Sequence, residues 1–286
     1  MKKITKETNA TSGGKKKQNK VLYYVILVIL LGILAFSVYK IVSYFKQQAD
    51  AENIQAGVED EFVTPGDENA DSTTPDEGED GEKKPEVEQK PEPETIKVDF
   101  ERLTSKYPDV VGYIYGAYTG INYPIVQSSS NDYYIDHDLD GNVNNNGSIF
   151  MEYLNSSDFS DHNTLVYGHN MKSGLMFAHL TNYKSQHYYD AHPYFYIYTP
   201  TQNYKLNLYA GFVCEHDDEV YALSLTQSQL AGLAERSTFK SNIGVPTGNI
   251  VTLSTCSYEF DDARYVVVGE LVPINNEPAT EGETAE

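Results

Sequence analysis

Ile250-Val251-Thr252-Leu253-Ser254-Thr255-Cys256-Ser257-Tyr258 alternates apolar and hydroxyl-bearing residues up to a cysteine. A period of two is the signature of a half-buried strand. Seven loop residues follow, and Arg264 then opens a second apolar run, Arg264-Tyr265-Val266-Val267-Val268-Gly269-Glu270-Leu271. Paired as an antiparallel hairpin, with strands about 4.8 Å apart, the two runs bring the Cys256 thiol and the Arg264 guanidinium to one mouth. A fixed cation favours the thiolate, which makes Cys256 a nucleophile candidate. A buried free cysteine accounts for the same residue equally well, and the hairpin alone leaves both readings open.

Outward from this hairpin, short apolar runs recur between turn residues: 110–115, 121–127, 148–154, 164–167, 194–198 and 204–214. With 250–255 and 265–271 they make eight strand candidates, rich in β-branched and aromatic side chains. Helical periodicity is scarcer. It marks a short helix before Pro108, another within 175–183, and a better one over 226–237 with Thr226 as cap and Leu230, Leu233 and Ala234 on one face. Many short strands with few helices predict a mostly β domain, an antiparallel barrel or sandwich.

Upstream the chain changes character twice. Residues 1–20 carry seven Lys against one Glu, and no charged residue then occurs from Val21 to Tyr39. Nineteen residues at a helical rise span close to the ~30 Å hydrocarbon core. The positive excess on the N-terminal flank places that end in the cytoplasm and the remainder outside. A cleaved signal peptide is the competing reading, but its apolar region is usually about 7–15 residues, with the cleavage site directly after. Residues 50–99 hold eighteen acids against four Lys with few aliphatic residues, the composition of a disordered, extended spacer. The tail from Asn275 has the same composition. The expected organisation is a basic cytoplasmic head (1–20), a transmembrane signal anchor (21–45), a disordered acidic linker (46–97), a folded domain (98–274) and a loose acidic tail (275–286).

The net charge of −21 and the absence of a basic patch in the folded domain argue against a nucleic-acid partner. Two cysteines are too few for a disulfide framework. Cys214 ends an apolar run and reads as a buried, unpaired thiol, with one bridge to Cys256 as the alternative. Asp136, Asp138, Asp140 and Gly141 begin like a calcium loop, but the twelfth position is Gly147 where a bidentate acid is needed, so a polar turn is the better reading. No zinc-ligand spacing or Gly-rich phosphate loop occurs. Among seven histidines, His169 stands out, closing the apolar run Thr164-Leu165-Val166-Tyr167-Gly168 at a strand–loop edge where functional groups are often held.

Together, Thr164-Leu165-Val166-Tyr167-Gly168-His169, Thr252-Leu253-Ser254-Thr255-Cys256 and Arg264 resemble the sortases, membrane-anchored cysteine transpeptidases of Gram-positive bacteria. Class B is the best match: Tyr107-Pro108-Asp109-Val110-Val111-Gly112, Tyr123-Pro124-Ile125-Val126-Gln127, Asn146-Gly147-Ser148-Ile149-Phe150 and Tyr167-Gly168-His169-Asn170-Met171 resemble that class, as does a helix at 226–237. The resemblance implies an eight-stranded sortase barrel. It implies Cys256 as nucleophile, His169 as acid and base, and Arg264 as oxyanion and substrate holder, with Ser254 and Glu259 shaping the pocket. It further implies a Leu-Pro-x-Thr-Gly or Asn-Pro-x-Thr sorting motif cleaved at Thr, and an acceptor amine on a peptidoglycan cross-bridge or its lipid-linked precursor. No cofactor and no metal is required. Surface-protein anchoring is the leading role. A pilus-associated sortase is a second reading, and a non-catalytic anchored ectodomain a third.

Overall fold

The computed structural model describes residues 18–66 and 95–274. Most of the basic head, residues 67–94 of the acidic linker and the tail from 275 lie outside the described residues.

The first element, α1 (Gln18–Phe62), is a helix of 45 residues. Its apolar part is long and apolar enough to cross a bilayer. The chain divides after Gln47 into two compact units. In the second unit the helix does not give way to the loose linker expected from residue 46. Ala51, Val58 and Phe62 are buried, and Ile54 is partly so. These four positions recur at i, i+3, i+7 and i+11, one face of a helix. The polar average of the segment hides that stripe, which is why composition read it as disordered. The Phe62 ring meets Tyr107 edge-on at 6.4 Å and lies under the cations of Arg102 and Lys106, while Glu61 pairs with both. Strand β1 (Val63–Pro65) then pairs antiparallel with β2 (Ile96–Val98), so both ends of the linker are structured.

Helix α2 (Phe100–Lys106) follows, capped by the Asp99 side chain, which accepts from the Arg102 amide. Strands β3 (Val110–Gly116), β4 (Ile121–Val126), β5 (Ile149–Met151) and β6 (Asn163–Tyr167) come next. A 3-10 turn over Ala178–Lys184 leads into α3 (Gln186–Ala191), then β7 (Tyr194–Tyr198) and β8 (Asn203–Cys214). Helix α4 (Gln227–Arg236) carries a capping box between Thr226 and Gln229, and β9 (Ile250–Cys256) and β10 (Arg264–Ile274) complete the domain.

The eight strands β3–β10 close into a barrel in the order β10-β8-β7-β3-β4-β5-β6-β9. Two of its pairings, β4 with β5 and β6 with β9, are parallel, and the rest are antiparallel. Alternation sorts β9 cleanly. Val251 and Leu253 enter the main core with Tyr265, Val267, Leu206 and Leu208. Ile250 faces the other way, into a second cluster with Val266, Val268, Phe212 and the α4 residues Leu230 and Leu233. Thr252, Ser254 and Cys256 share the face of Ile250, because successive strand residues point to opposite sides.

Candidate active site

Three neighbouring strands bring the three singled-out residues to one level. In the β9–β10 ladder Arg264 lies directly opposite Cys256. On the other flank β6 runs parallel to β9 and its last pair is Tyr167 with Ser254. The register continues past the strand end, where the Gly168 amide donates to the Ser254 carbonyl at 3.1 Å and the Asn170 side chain donates to the Cys256 carbonyl at 2.9 Å. His169 is thereby set beside Cys256, where hydrogen bonding between the two side chains is the largest influence on the titration of each. The His169 Nε2 lies 2.6 Å from the Ile135 carbonyl. A carbonyl can only accept, so Nε2 carries a proton and Nδ1 is the nitrogen left to gain or lose one.

The electrostatics of the two groups are coupled. The bond to His169 lowers the Cys256 thiol below its ordinary range; burial opposes this, and the Arg264 charge adds to the lowering. For His169 the bond to Cys256 raises the imidazole, burial opposes, and the Ile135 carbonyl and Asp136 add to the rise. Each group thus draws the other toward its charged form, the direction a cysteine nucleophile needs. Arg264 is held from behind by the loop that precedes it, its Nη1 donating to the carbonyls of Asp262 at 3.0 Å and Ala263 at 3.1 Å.

Of the two further pocket residues, Ser254 sits two positions before Cys256 on the same face, buried, with its hydroxyl 2.8 Å from that of Tyr221. Glu259 sits in an ion pair. Its carboxylate is engaged by Lys184 and by the Ser257 hydroxyl, which draw it down to about 2. Cys214 is free and buried, and burial pushes its thiol up to about 11. Cys214 pairs with Arg264 from the far side of β10, so β10 separates the two cysteines. Two strand spacings put their Cα atoms roughly 10 Å apart, beyond the ~7 Å reach of a disulfide. The bridge left open by the sequence is excluded. In the calcium-like stretch, Asp138 is buried and its carboxylate accepts from the Asn142 amide at 2.9 Å, binding the turn to itself. Among the described residues no three His, Cys, Asp or Glu side chains converge as a metal site.

Sequence reasoning missed Asn170, Tyr221, Lys184 and the Ile135 carbonyl. Asn170 was within reach, as the neighbour of His169. The others come from distant segments, and a main-chain carbonyl leaves no trace in residue type.

A closed eight-stranded barrel that sets a cysteine beside a histidine and an arginine is suited to acyl transfer through a cysteine nucleophile, the chemistry of the cysteine transpeptidases. The sortase-domain family description matches residues 118–272, more than half of the chain. Sortase B of Listeria monocytogenes is 37% identical over 174 residues, covering 57% of this chain and 70% of that protein. Sortase B of Staphylococcus aureus is 28% identical over 190 residues, 64% of this chain and 78% of that one. Among solved structures, a Staphylococcus aureus sortase B–substrate complex superposes with a TM-score of 0.58 at 28% identity, covering 62% of this chain and 85% of that one. Sortase B from B. anthracis in complex with AAEK1 gives a TM-score of 0.60 at 25% identity over 82% of this chain and 100% of that one. The chain belongs to the sortase family, and within it to class B.

Proposed function

We propose that this sortase is anchored in the membrane by residues 21–45, with its N-terminus in the cytoplasm and its barrel outside. There it attaches surface proteins to the cell wall. The observation that carries the reading is the row His169–Cys256–Arg264 across β6, β9 and β10. The Cys256 thiolate attacks the carbonyl carbon of Thr in a Leu-Pro-x-Thr-Gly or Asn-Pro-x-Thr sorting motif. The tetrahedral oxyanion faces Arg264, whose loss would cost about 3 kcal/mol by comparison with other oxyanion donors. The amide bond after Thr breaks, its nitrogen takes a proton from His169, and a thioacyl-enzyme remains. An acceptor amine of a peptidoglycan cross-bridge or its lipid-linked precursor then attacks the thioester. It gives its proton to His169 and releases the Cys256 thiolate. The Staphylococcus aureus relative has been solved with a substrate, and a sortase B has been solved with triglycine, which supports a peptide donor and a glycine-type amine acceptor.

The test is mass spectrometry of the chain incubated with sorting-motif peptides. The expected adduct is enzyme plus the peptide fragment ending in Thr, discharged by hydroxylamine or triglycine. An adduct on Cys214, or one that survives in Cys256→Ala, would overturn the assignment.

A further inference from the structure

The carbonyl that holds His169 comes from Ile135, 34 residues upstream in the connection between β4 and β5. That connection folds back on itself around the carbonyl. Ser148 donates its amide to the Tyr134 carbonyl and its hydroxyl to the His137 carbonyl, each at 3.0 Å. The Asn144 amide reaches the Asp136 carbonyl at 2.8 Å, and the Tyr134 hydroxyl is tied to Asp109 at 2.6 Å. Ile135 is therefore pinned on both sides by backbone bonds, and its carbonyl has little freedom to follow a moving imidazole.

Gly147 lies against that carbonyl. Its φ is +59°, in the left-handed region, and a Cβ at this position would fall 2.5 Å from the Ile135 oxygen and 2.6 Å from the Tyr134 oxygen. Both atoms are main chain, so no rotamer change relieves the clash, and the carbonyls themselves must move. Gly141 lies in the same connection with φ +77°, yet a Cβ there meets only the Tyr133 hydroxyl at 3.3 Å. The two glycines share the conformational demand, and only Gly147 also guards the oxygen that His169 uses.

We infer that Gly147 is a positioning residue for the transpeptidation reaction, keeping clear the space in which the Ile135 carbonyl orients the His169 ring. The inference rests on the reading of His169 and Cys256 as the catalytic pair. Its mechanism is the second hydrogen bond that fixes a functional histidine's tautomer and plane, here Nε2–H to Ile135, which leaves Nδ1 as the nitrogen that exchanges a proton. The groups facing this imidazole are Cys256 from β9 and Asp136 from the same connection, while Arg264 from β10 faces Cys256.

The experiment compares the full chain in detergent with Gly147→Ala, Gly141→Ala and His169→Ala. It measures kcat and KM on a sorting-motif peptide, the pH profile of Cys256 alkylation, the 15N shifts of the His169 ring and the thermal midpoint. Gly147→Ala should lower kcat about ten- to a hundredfold, the scale of a small misplacement of a reacting group, with KM little changed. Its alkylation profile should move to higher pH, and the 15N shift of its His169 Nε2 should leave the parental hydrogen-bonded value. Gly141→Ala should remain near the parental chain in all of these. A fourth variant carries the α-hydroxy acid counterpart of aspartate at position 136. This turns the Ile135 carbonyl into an ester, a weaker acceptor, with every side chain kept, and should shift the same observables in the same direction. It decides the matter alone if Gly147→Ala does not fold. The inference is overturned if folded Gly147→Ala loses no more kcat than Gly141→Ala, or if the ester chain keeps the parental kcat and profile. A parental chain that cleaves no sorting peptide, or a His169→Ala variant as active as the parent, would instead sink the catalytic reading itself.

Discussion

Arg264 stands directly opposite Cys256 in the β9–β10 ladder, so their side chains leave the sheet on the same face. Directly opposed residues in an antiparallel pair have Cβ atoms about 5 Å apart. That spacing sets a guanidinium beside a thiol without any contribution from loop flexibility, and it explains why the charge of Arg264 lowers the thiol.

Arg264→Lys is therefore expected to keep the fold and lose most of the turnover, by at least about tenfold, because an ammonium keeps the charge but lacks the planar fork of donors. Steady-state cleavage of a sorting-motif peptide beside a thermal melt checks this. Near-parental turnover in the Lys variant would show that Arg264 contributes only charge.

Thiol reactivity should separate the two cysteines. The His169 bond lowers Cys256, so its alkylation by iodoacetamide should persist below the pH at which an ordinary thiol loses its thiolate. In His169→Ala that bond is gone, and the profile should move to higher pH. Cys214, buried and raised to about 11, should stay unmodified until the chain unfolds. Peptide mapping after timed alkylation gives the answer. Faster labelling of Cys214 than of Cys256 in the native chain would contradict the burial of Cys214 at the end of β8.

Glu259 offers a linkage test. Lys184 and Ser257 depress its carboxylate from 4.5 to about 2, so its contribution to stability is fully present above about 4.5 and is lost as pH falls towards about 2. Both partners of the ion pair are partly exposed, which limits the effect to a few tenths to about 1 kcal/mol. Glu259→Gln should lower stability by that amount at neutral pH, with the difference from the parent shrinking below about 4.5. Urea unfolding at several pH values measures it. If the variant instead raises KM for the sorting peptide at unchanged stability, Glu259 serves the substrate and not the loop.

The stripe on α1 predicts where the soluble enzyme can be cut. A chain beginning at Gln48 retains Ala51, Val58 and Phe62 and the β1–β2 pair, whereas one beginning at Lys97 loses them. The longer chain should melt at the higher temperature. Within it Phe62→Ala should cost about 3 kcal/mol, the low end for a buried Phe because the ring lies at the edge of the domain. Equal midpoints for the two chains would mean that the helix adds nothing to the barrel.

Much of the architecture was legible because it is local. Alternation in Ile250–Cys256 and in the seven other runs follows from the two-residue period of a strand, and each became a barrel strand. The helix over 226–237 announced itself through the Thr226 cap and its apolar face, and forms as α4. The hairpin reading placed Arg264 against Cys256 from loop length alone. Where composition was used in place of periodicity, in the acidic segment after residue 46, four apolar positions on one helix face were averaged away.

By itself, then, the sequence determined the eight strands and the apolar span, since each depends on neighbours a few positions apart, while Cys256, His169 and Arg264 were singled out through their resemblance to the sortase motifs. Tertiary structure alone decided that the sheet closes as a barrel, through the parallel β6–β9 pair, whose partners are separated by more than eighty residues. It alone set His169 level with Cys256, separated the two thiols by a strand, gave Glu259 to Lys184, and aimed the Ile135 carbonyl at the imidazole. Such relationships depend on which strands meet and in what register, and backbone groups that hydrogen-bond across the fold are the same in every residue type.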